Sequence, residues 1–204
     1  MSDDDKPDAK RFNYNIHYGE ALLAAIPAGA RTAVDVGCGE GFMARRLAEH
    51  GLAVTAIDED AESIRRARAQ GEESITYLEG DALTDALPAG PYDVVLASAS
   101  LHHMDLVDGL TRLKSLVAPG GVLLVVGMAK AGAVDIPREM AASIVDKGHK
   151  LFKGYWDHGS PCVWPTPQTY VQVRDEAARL LPGSEFSKKL LWRYTLVWHA
   201  PARA

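Results

Sequence analysis

The chain has 204 residues, of which 47% are hydrophobic, and a formal net charge of −5 at pH 7. This length fits one domain with a sizeable core, and the lack of a basic balance argues against nucleic acid or a membrane surface as a partner. The longest apolar runs have the length of β-strands, so no membrane-spanning segment is predicted. With only two cysteines, Cys38 and Cys162, a structural disulfide is not expected, which favours a reducing cytoplasmic location.

The amino-terminal stretch is acidic and lacks the apolar run of a signal peptide, which predicts a disordered tail over residues 1–12. We expect a single domain over residues 13–204. It opens with an aromatic and polar run, residues 12–18, ahead of a short helix that ends near Pro27.

Apolar strands then alternate with helical patterns, as they do in βαβ units. The strands are predicted over residues 32–36, 53–57, 74–78, 92–97 and 122–127, with helices over residues 41–50, 60–70 and 105–117. Each strand is a continuous apolar run, which is typical of parallel strands covered on both faces. The pattern predicts an α/β fold with a doubly wound parallel sheet.

Two later regions interrupt the alternation. Residues 128–165 lack a clean period, which favours a lid insertion over a binding site. Thr166 and Pro167 predict the start of a helix that runs to about Leu181. Residues 186–199 predict two strands joined by a tight turn near Trp192 and Arg193.

Three glycines follow the first strand at alternate positions: Gly37, Gly39 and Gly41. A strand that leads through such a loop into a helix is typical of a nucleotide site, where a ligand approaches the backbone too closely for a Cβ atom. The dinucleotide fingerprint is G-x-G-x-x-G, whereas here the third glycine comes one residue early.

Residues 32–41, with Asp35 two residues before the first glycine, resemble motif I of the class I S-adenosylmethionine (SAM)-dependent methyltransferases. The resemblance implies a Rossmann-like, doubly wound, seven-stranded sheet of five parallel strands plus a C-terminal antiparallel hairpin. It also implies SAM as the cofactor and S-adenosylhomocysteine as the product.

The similarity continues at the ends of the next two strands. A carboxylate after the second strand accepts both ribose hydroxyls in this family, which implies that role for Asp58, with Glu59 as the nearby alternative. After the third strand, Asp81 matches the aspartate that accepts the adenine amino group, and the backbone amide of Ala82 matches the one that meets a ring nitrogen. Asp81 alternatively is a solvated turn residue.

Further cofactor contacts are implied around the reactive end. Asp35 is expected to orient the glycine loop, including Cys38, and the methionine part of SAM. Ser98, which follows the fourth strand, is expected to border the cofactor. Tyr14 and His17 are candidates for a segment that folds over SAM, with packing of an N-terminal helix as the alternative.

The Leu-His-His run after the fourth strand resembles the small-molecule branch of the family. His102 or His103 is a candidate general base, because a histidine pKa suits proton transfer near neutral pH. The alternatives are that the histidines only pack or cap a helix, and that methyl transfer needs no base because positioning supplies most of the acceleration. No carboxylate cluster suggests a metal, so none is predicted.

The sequence therefore predicts a methyltransferase that transfers a methyl group from SAM to oxygen or nitrogen of a small molecule, such as a secondary metabolite. A monomer or a homodimer is expected. Two alternatives remain open at this point: an NAD-dependent oxidoreductase, and a SAM-binding protein of the same fold without catalytic activity.

Overall fold

The computed structural model describes residues 7–8, 11–88, 90–143 and 166–203. Its central element is one seven-stranded sheet. In chain order the strands are β1 (Thr32–Val36), β2 (Ala53–Asp58), β3 (Ile75–Glu79), β4 (Tyr92–Ser98), β5 (Val117–Met128), β6 (Glu185–Lys188) and β7 (Arg193–His199).

The strand order is β3-β2-β1-β4-β5-β7-β6. The first five strands pair in parallel, and β7 pairs antiparallel with both β5 and β6. The order reverses between β1 and β4, which is where doubly wound sheets leave a crevice at the carboxyl ends of their strands. The prediction of five parallel strands followed by an antiparallel hairpin is confirmed.

Helices cover both faces of the sheet, and polar side chains define where several of them begin. The helices are α1 (Tyr14–Leu22), α2 (Phe42–Glu49), α3 (Ala61–Ala69), α4 (Leu106–Leu116) and α5 (Tyr170–Leu180). The side chains of Asn13, Asp60 and Asp105 accept hydrogen bonds from the first free amides of α1, α3 and α4. Such caps satisfy amide donors that lack an intrahelical partner.

The start of α5 differs from the prediction. The helix begins at Tyr170, three residues after Pro167, and Thr169 is its N-cap. The amide and the hydroxyl of Thr169 both donate to Oε1 of Gln172, at 2.9 and 3.0 Å, while the Gln172 amide donates back to the hydroxyl. This reciprocal capping box satisfies free groups at the start of the helix and places that start at Tyr170.

The turn of the closing hairpin also lies earlier than predicted. β6 ends at Lys188 and β7 already begins at Arg193, so the turn occupies residues 189–192. Leu191 and Trp192 have φ angles of 62° and 60°, a left-handed conformation that side chains disfavour. Because neither residue is glycine or asparagine, the sequence carries no ordinary turn signal there.

The predicted lid is described only in its first part. Met128 ends β5, a 3₁₀ turn covers Ala133–Asp135, and residues 136–143 are helical. Residues 144–165 lie outside the described part, as do residues 1–6 and 9–10 of the predicted tail. The lid and the tail stay predictions, but two described residues of the tail, Asp8 and Arg11, form ion pairs with Arg45 and Glu40.

The core consists of two apolar layers, one on each face of the sheet. Successive strand residues alternate between faces, so Ala33 packs in the layer with α1, α2 and α3, whereas Val34 packs in the layer with α4 and α5. Both layers contain fully buried leucines, such as Leu47 and Leu113. The packing of helices on both faces therefore fixes the carboxyl edge of the sheet.

Among the described residues, no helix is long and apolar enough to cross a membrane.

Candidate functional site

The carboxyl ends of the parallel strands form the floor of a cavity of about 630 Å³. Its lining comes from the loops that follow β1, β2, β3 and β4, from the amino-terminal segment and from the start of β7. Of the residues singled out in the sequence, those that line it are Asp35, Gly37, Cys38, Gly39, Asp58, Glu59, Asp81, Ala82, Ser98, His102 and His103.

The glycine loop is fixed by backbone hydrogen bonds and by tight packing. The amides of Gly37 and Cys38 donate to the carbonyl of Ile57 at 2.8 and 3.1 Å. Gly37 and Gly41 have φ angles of 71° and 84°, which only glycine adopts at no steric cost. A Cβ atom on Gly37 would collide with Ser100.

Gly41 does not line the cavity. A Cβ atom on it would lie 2.6 Å from the hydroxyl of Tyr77. At both Gly37 and Gly41, protein atoms already exclude a side chain, and of the two only Gly37 lines the cavity.

The Asp58 carboxylate joins the loop to the end of β2. Oδ2 accepts from the amide of Gly39 at 2.8 Å, and Oδ1 accepts from the amide of Asp60 at 2.9 Å. Each oxygen has a second lone pair, so both remain able to accept from a ligand hydroxyl. Glu59 is exposed on the same rim.

The loop after β3 holds Asp81 in a tight turn. Its Oδ1 accepts from the amide of Leu83 at 2.8 Å, and its own amide donates to Asp85 at 2.8 Å. The carboxylate is exposed and Ala82 beside it is buried. These hydrogen bonds fix the Asp81 carboxylate in an orientation in which it can accept from an amino group.

Asp35 is the most unusual carboxylate of the site. It is 1% exposed, and neither of its oxygens has a hydrogen-bond partner among the described residues. Burial, together with the nearby charge of Asp58, raises the pKa of Asp35 to about 7. Burial also raises the pKa of the Cys38 thiol well above its usual range, so Cys38 stays protonated and inert as a nucleophile.

His102 and His103 lie together beyond β4, with ring centroids 4.2 Å apart. His103 is exposed, whereas His102 is 3% exposed and both of its ring nitrogens lack a hydrogen-bond partner among the residues described. Burial, with smaller contributions from His103 and Arg193, lowers the pKa of His102 to about 4. His102 is thus neutral at pH 7, and a weaker base than the sequence suggested.

Two candidates from the amino-terminal segment do not reach the cavity. Tyr14 packs in a small apolar cluster with Ala142 and Leu191, and His17 is exposed, in contact with the rings of its neighbours. Asn13, Asn15 and Ile16 of the same segment line the cavity instead. Asn13 is also the N-cap of α1, where its side chain accepts from the amide of Ile16.

Sequence reasoning missed Arg193, the first residue of β7. It lies opposite Met128, the last residue of β5, and both line the cavity. The guanidinium donates from Nε to the Asn15 side chain at 3.0 Å and from Nη1 to the Leu191 carbonyl at 2.6 Å. A strand that pairs antiparallel with the last parallel strand begins at the carboxyl edge of the sheet. The predicted topology therefore already indicated that the first residue of β7 lies at this edge.

Among the residues that the structure describes, no three His, Cys, Asp or Glu side chains are grouped to hold a metal ion. The cavity instead presents carboxylates at the β2 and β3 end, suited to hydroxyl and amino donors. The unpartnered Asp35 oxygens lie near the glycine loop, where they suit a cationic group. These features fit a nucleoside that carries an amino-acid arm.

Comparison with known proteins supports the same conclusion. Residues 34–125 match the family model of the methyltransferase domain. An uncharacterized methyltransferase of Mycobacterium tuberculosis (strain H37Rv) is 38% identical over 196 residues, which cover 93% of this chain and 98% of the relative. A malonyl-[acyl-carrier protein] O-methyltransferase of Enterobacter lignolyticus is 30% identical over 132 residues, 64% of this chain and 52% of that enzyme.

Solved structures share the fold at low identity. Human N-acetylserotonin methyltransferase in complex with SAM is 20% identical with a TM-score of 0.62, and the match covers 90% of this chain and 52% of that one. A Haemonchus contortus phosphoethanolamine N-methyltransferase is 18% identical with a TM-score of 0.59, over 84% of this chain and 38% of that one.

This similarity excludes the alternative of an NAD-dependent oxidoreductase, and the early third glycine, the position of Asp81 and the closing hairpin agree with a methyltransferase. The chain belongs to the S-adenosylmethionine-dependent methyltransferases of class I.

Proposed function

We propose that the protein transfers the methyl group of SAM to an oxygen or nitrogen atom of a small molecule. The observation that carries this proposal is the continuity of the cavity. One space connects the carboxylates of Asp58 and Asp81 with a second end lined by His102, Met128 and Arg193. Its volume is in the range of sites that enclose small molecules.

The cofactor supplies an electrophilic methyl group on a sulfonium centre. Asp58 would accept hydrogen bonds from the ribose hydroxyls, and Asp81 would accept one from the adenine amino group. Asp35, ionised when a cationic group lies beside it, helps to hold the methionine arm near the glycine loop. We infer these roles from the family resemblance together with the open acceptor positions of the three carboxylates.

At the other end, neutral His102 has a lone pair that accepts a hydrogen bond from a hydroxyl or amine. This hydrogen bond orients the nucleophile. His102 then takes the proton from the nucleophile as the bond to the methyl group forms. A similar enzyme supports oxygen as the acceptor atom: the ubiquinone biosynthesis O-methyltransferase of Caulobacter vibrioides is 36% identical over 107 residues, 50% of this chain and 42% of that enzyme. The small acceptor, the cytoplasmic location and the monomer or homodimer stay predictions.

The test uses SAM with a radiolabelled methyl group and a panel of small hydroxyl- and amine-bearing compounds. We expect label to appear in an acceptor with the wild-type protein and to fall sharply with Asp58→Asn, which keeps an acceptor for the Gly39 amide but removes the charge. SAM affinity of this variant should fall by roughly 1.5–3 kcal/mol, typical of hydrogen bonds to a charged group.

Asp108→Asn, at an exposed carboxylate in the first turn of α4, is the matched control and should leave affinity unchanged. SAM binding without transfer to any compound of the panel would favour the alternative of a non-catalytic SAM-binding protein.

A further inference from the structure

The amino-terminal segment brings a pair of side-chain amides to the cavity. The chain has two asparagines, Asn13 and Asn15, and both of them line the cavity. Asn13 is buried and Asn15 is half-buried. The proposed function gives roles to the carboxylates of the site and to His102, but it gives none to these two amides.

The oxygen of each amide is already engaged by a protein donor. Asn13 Oδ1 accepts from the backbone amide of Ile16 at 2.9 Å, and Asn15 Oδ1 accepts from Nε of Arg193 at 3.0 Å. Both donors are N–H groups that cannot accept, so the oxygen and not the nitrogen of each amide faces them. The two NH₂ groups are therefore the polar groups that remain for the cavity, and neither donates to a group among the described residues.

The contact with Arg193 also makes Asn15 a stronger donor. A hydrogen bond from a charged guanidinium to the amide oxygen polarises the amide, which strengthens its N–H groups as donors. Two oriented amides whose NH₂ groups remain available suit a ligand oxygen that carries negative charge.

The segment that carries the asparagines lies against the glycine loop. Ile16 packs in the same apolar cluster as Cys38, and Arg11 pairs with Glu40 at 2.8 Å. Asp35 precedes this loop and lines the same cavity, with oxygens that no described group engages. An amino acid carries an ammonium and a carboxylate on one carbon atom. Such a ligand arm can therefore place its ammonium at Asp35 and its carboxylate at the asparagines.

We propose that Asn13 and Asn15 bind the carboxylate of the methionine arm of the cofactor, so that the protein selects a cofactor with an intact amino-acid arm. The proposal rests on the cofactor placement in the proposed function and is independent of the methyl acceptor. With both charged groups of the arm bound, the sulfonium centre is held in one position, which favours an in-line attack on its methyl group. The two asparagines bind and position the cofactor and take no part in proton transfer.

The experiment compares two ligands that differ only in this carboxylate. They are S-adenosylhomocysteine and its decarboxylated analogue, 5′-(3-aminopropylthio)-5′-deoxyadenosine, and calorimetry measures the affinity of the protein for each. Hydrogen bonds from the amides to a charged group should make the wild type bind S-adenosylhomocysteine about tenfold or more tightly than the analogue.

Asn13→Asp and Asn15→Asp are the test variants. Each replaces an NH₂ group by an oxygen and keeps the oxygen that accepts from Ile16 or Arg193. Aspartate caps a helix as well as asparagine does, so Asn13→Asp should fold as the wild type does. In both variants the preference for the carboxylated ligand should fall by about tenfold or more, because a negative charge then faces the ligand carboxylate. The affinity for the analogue should not fall, since its ammonium gains an acid.

Gln70→Glu is the matched control. It makes the same change from amide to acid at the exposed C-cap of α3, outside the cavity lining. This variant should keep the wild-type preference, which separates an effect at the cavity from a general effect of the added charge.

The possible outcomes separate this proposal from the proposed function. A wild-type protein that does not bind S-adenosylhomocysteine contradicts both. A wild-type protein that binds the two ligands equally well contradicts only the role of the asparagines, and so does an Asn13→Asp variant with an unchanged preference. A loss of preference confined to Asn15→Asp would show that the new acid acts on Arg193, and would assign the carboxylate to that guanidinium instead. An equal loss of affinity for both ligands in Asn13→Asp would show a purely structural role and also overturn the proposal.

Discussion

At the level of single residues, the site contains two buried ionisable groups that the fold holds in their neutral forms. Asp35 has its pKa raised to about 7, and His102 has its pKa lowered to about 4. Each shift reflects the cost of placing a charge in the interior before a ligand is present. The two groups affect stability in opposite directions as the pH changes, so each can be measured separately.

Asp35→Asn should stabilise the ligand-free protein at pH 8 by roughly 1–3 kcal/mol, since it removes the cost of ionising a buried carboxyl. The folded-state pKa lies above the unfolded one, so this cost grows as the pH rises from about 4 to about 7. At pH 5 the variant and the wild type should therefore differ little. Urea unfolding at both pH values measures the difference, and a gain of the same size at pH 5 and pH 8 would contradict the assignment.

His102→Gln should flatten the loss of stability in acid. The unfolded histidine binds a proton below about pH 6.5, whereas folded His102 does so only near pH 4. Acidification from pH 6.5 to pH 4.5 therefore destabilises the wild type through this residue, by about 2–3 kcal/mol. His103→Gln, at an exposed site, is the comparison variant, and equal acid sensitivity of His102→Gln and the wild type would show that His102 is not buried in its neutral form.

At the level of elements, an ion cluster connects the amino-terminal segment to the glycine loop and α2. Arg11 Nη1 contacts Glu40 Oε2 at 2.8 Å, and Arg45 Nη2 contacts the same oxygen at 3.1 Å. Asp8 pairs with both arginines, at 2.9 and 2.7 Å. The side chains of Arg11 and Glu40 are only 2% and 6% exposed, so the cluster holds the segment that contributes Asn13 and Asn15 to the cavity.

Glu40→Gln should destabilise the protein by about 3 kcal/mol, because it removes the charge of a buried carboxylate that pairs with both guanidinium groups. Hydrogen exchange over residues 11–22 should quicken more than over the central strands. Glu49→Gln breaks an exposed pair with Arg46 and should cost less than about 1 kcal/mol. Similar losses in both variants would mean that the cluster contributes no more than an ordinary surface pair.

The sequence predicted those elements whose signals are local. Strand β1 has the predicted bounds, because an apolar run ends at the glycine loop, and the helices predicted from residues 60 and 105 begin there, capped by Asp60 and Asp105. The hairpin turn was misplaced, since the left-handed Leu191 and Trp192 are held by tertiary contacts. Arg193 was missed because the signal for it lies in the predicted topology and not in the neighbouring residues: an antiparallel β7 beside β5 begins at the carboxyl edge of the sheet.

At the level of the whole molecule, the ligand-binding cavity lies at the carboxyl edge of the sheet. Loops from both halves of the sheet line this one edge. A ligand that binds only the folded state should therefore stabilise the entire domain by mass action. S-adenosylhomocysteine at 100 times its dissociation constant should add about 2.7 kcal/mol, which raises the melting temperature of a domain of this size by about 5–10 °C. NADH at the same concentration should produce no shift.

Asp58→Asn provides the internal test of this linkage. At the same ligand concentration, an affinity weakened by roughly 1.5–3 kcal/mol leaves about 0.3–1.3 kcal/mol of stabilisation, so the shift should be at most about half of that in the wild type. The residual shift matters, because a variant that merely unfolded the loop would lose it altogether. Thermal scans with and without ligand, run on both proteins, measure the ratio. A full wild-type shift in Asp58→Asn would show that the ribose is held elsewhere, and Glu59, exposed on the same rim, would then be the next carboxylate to replace.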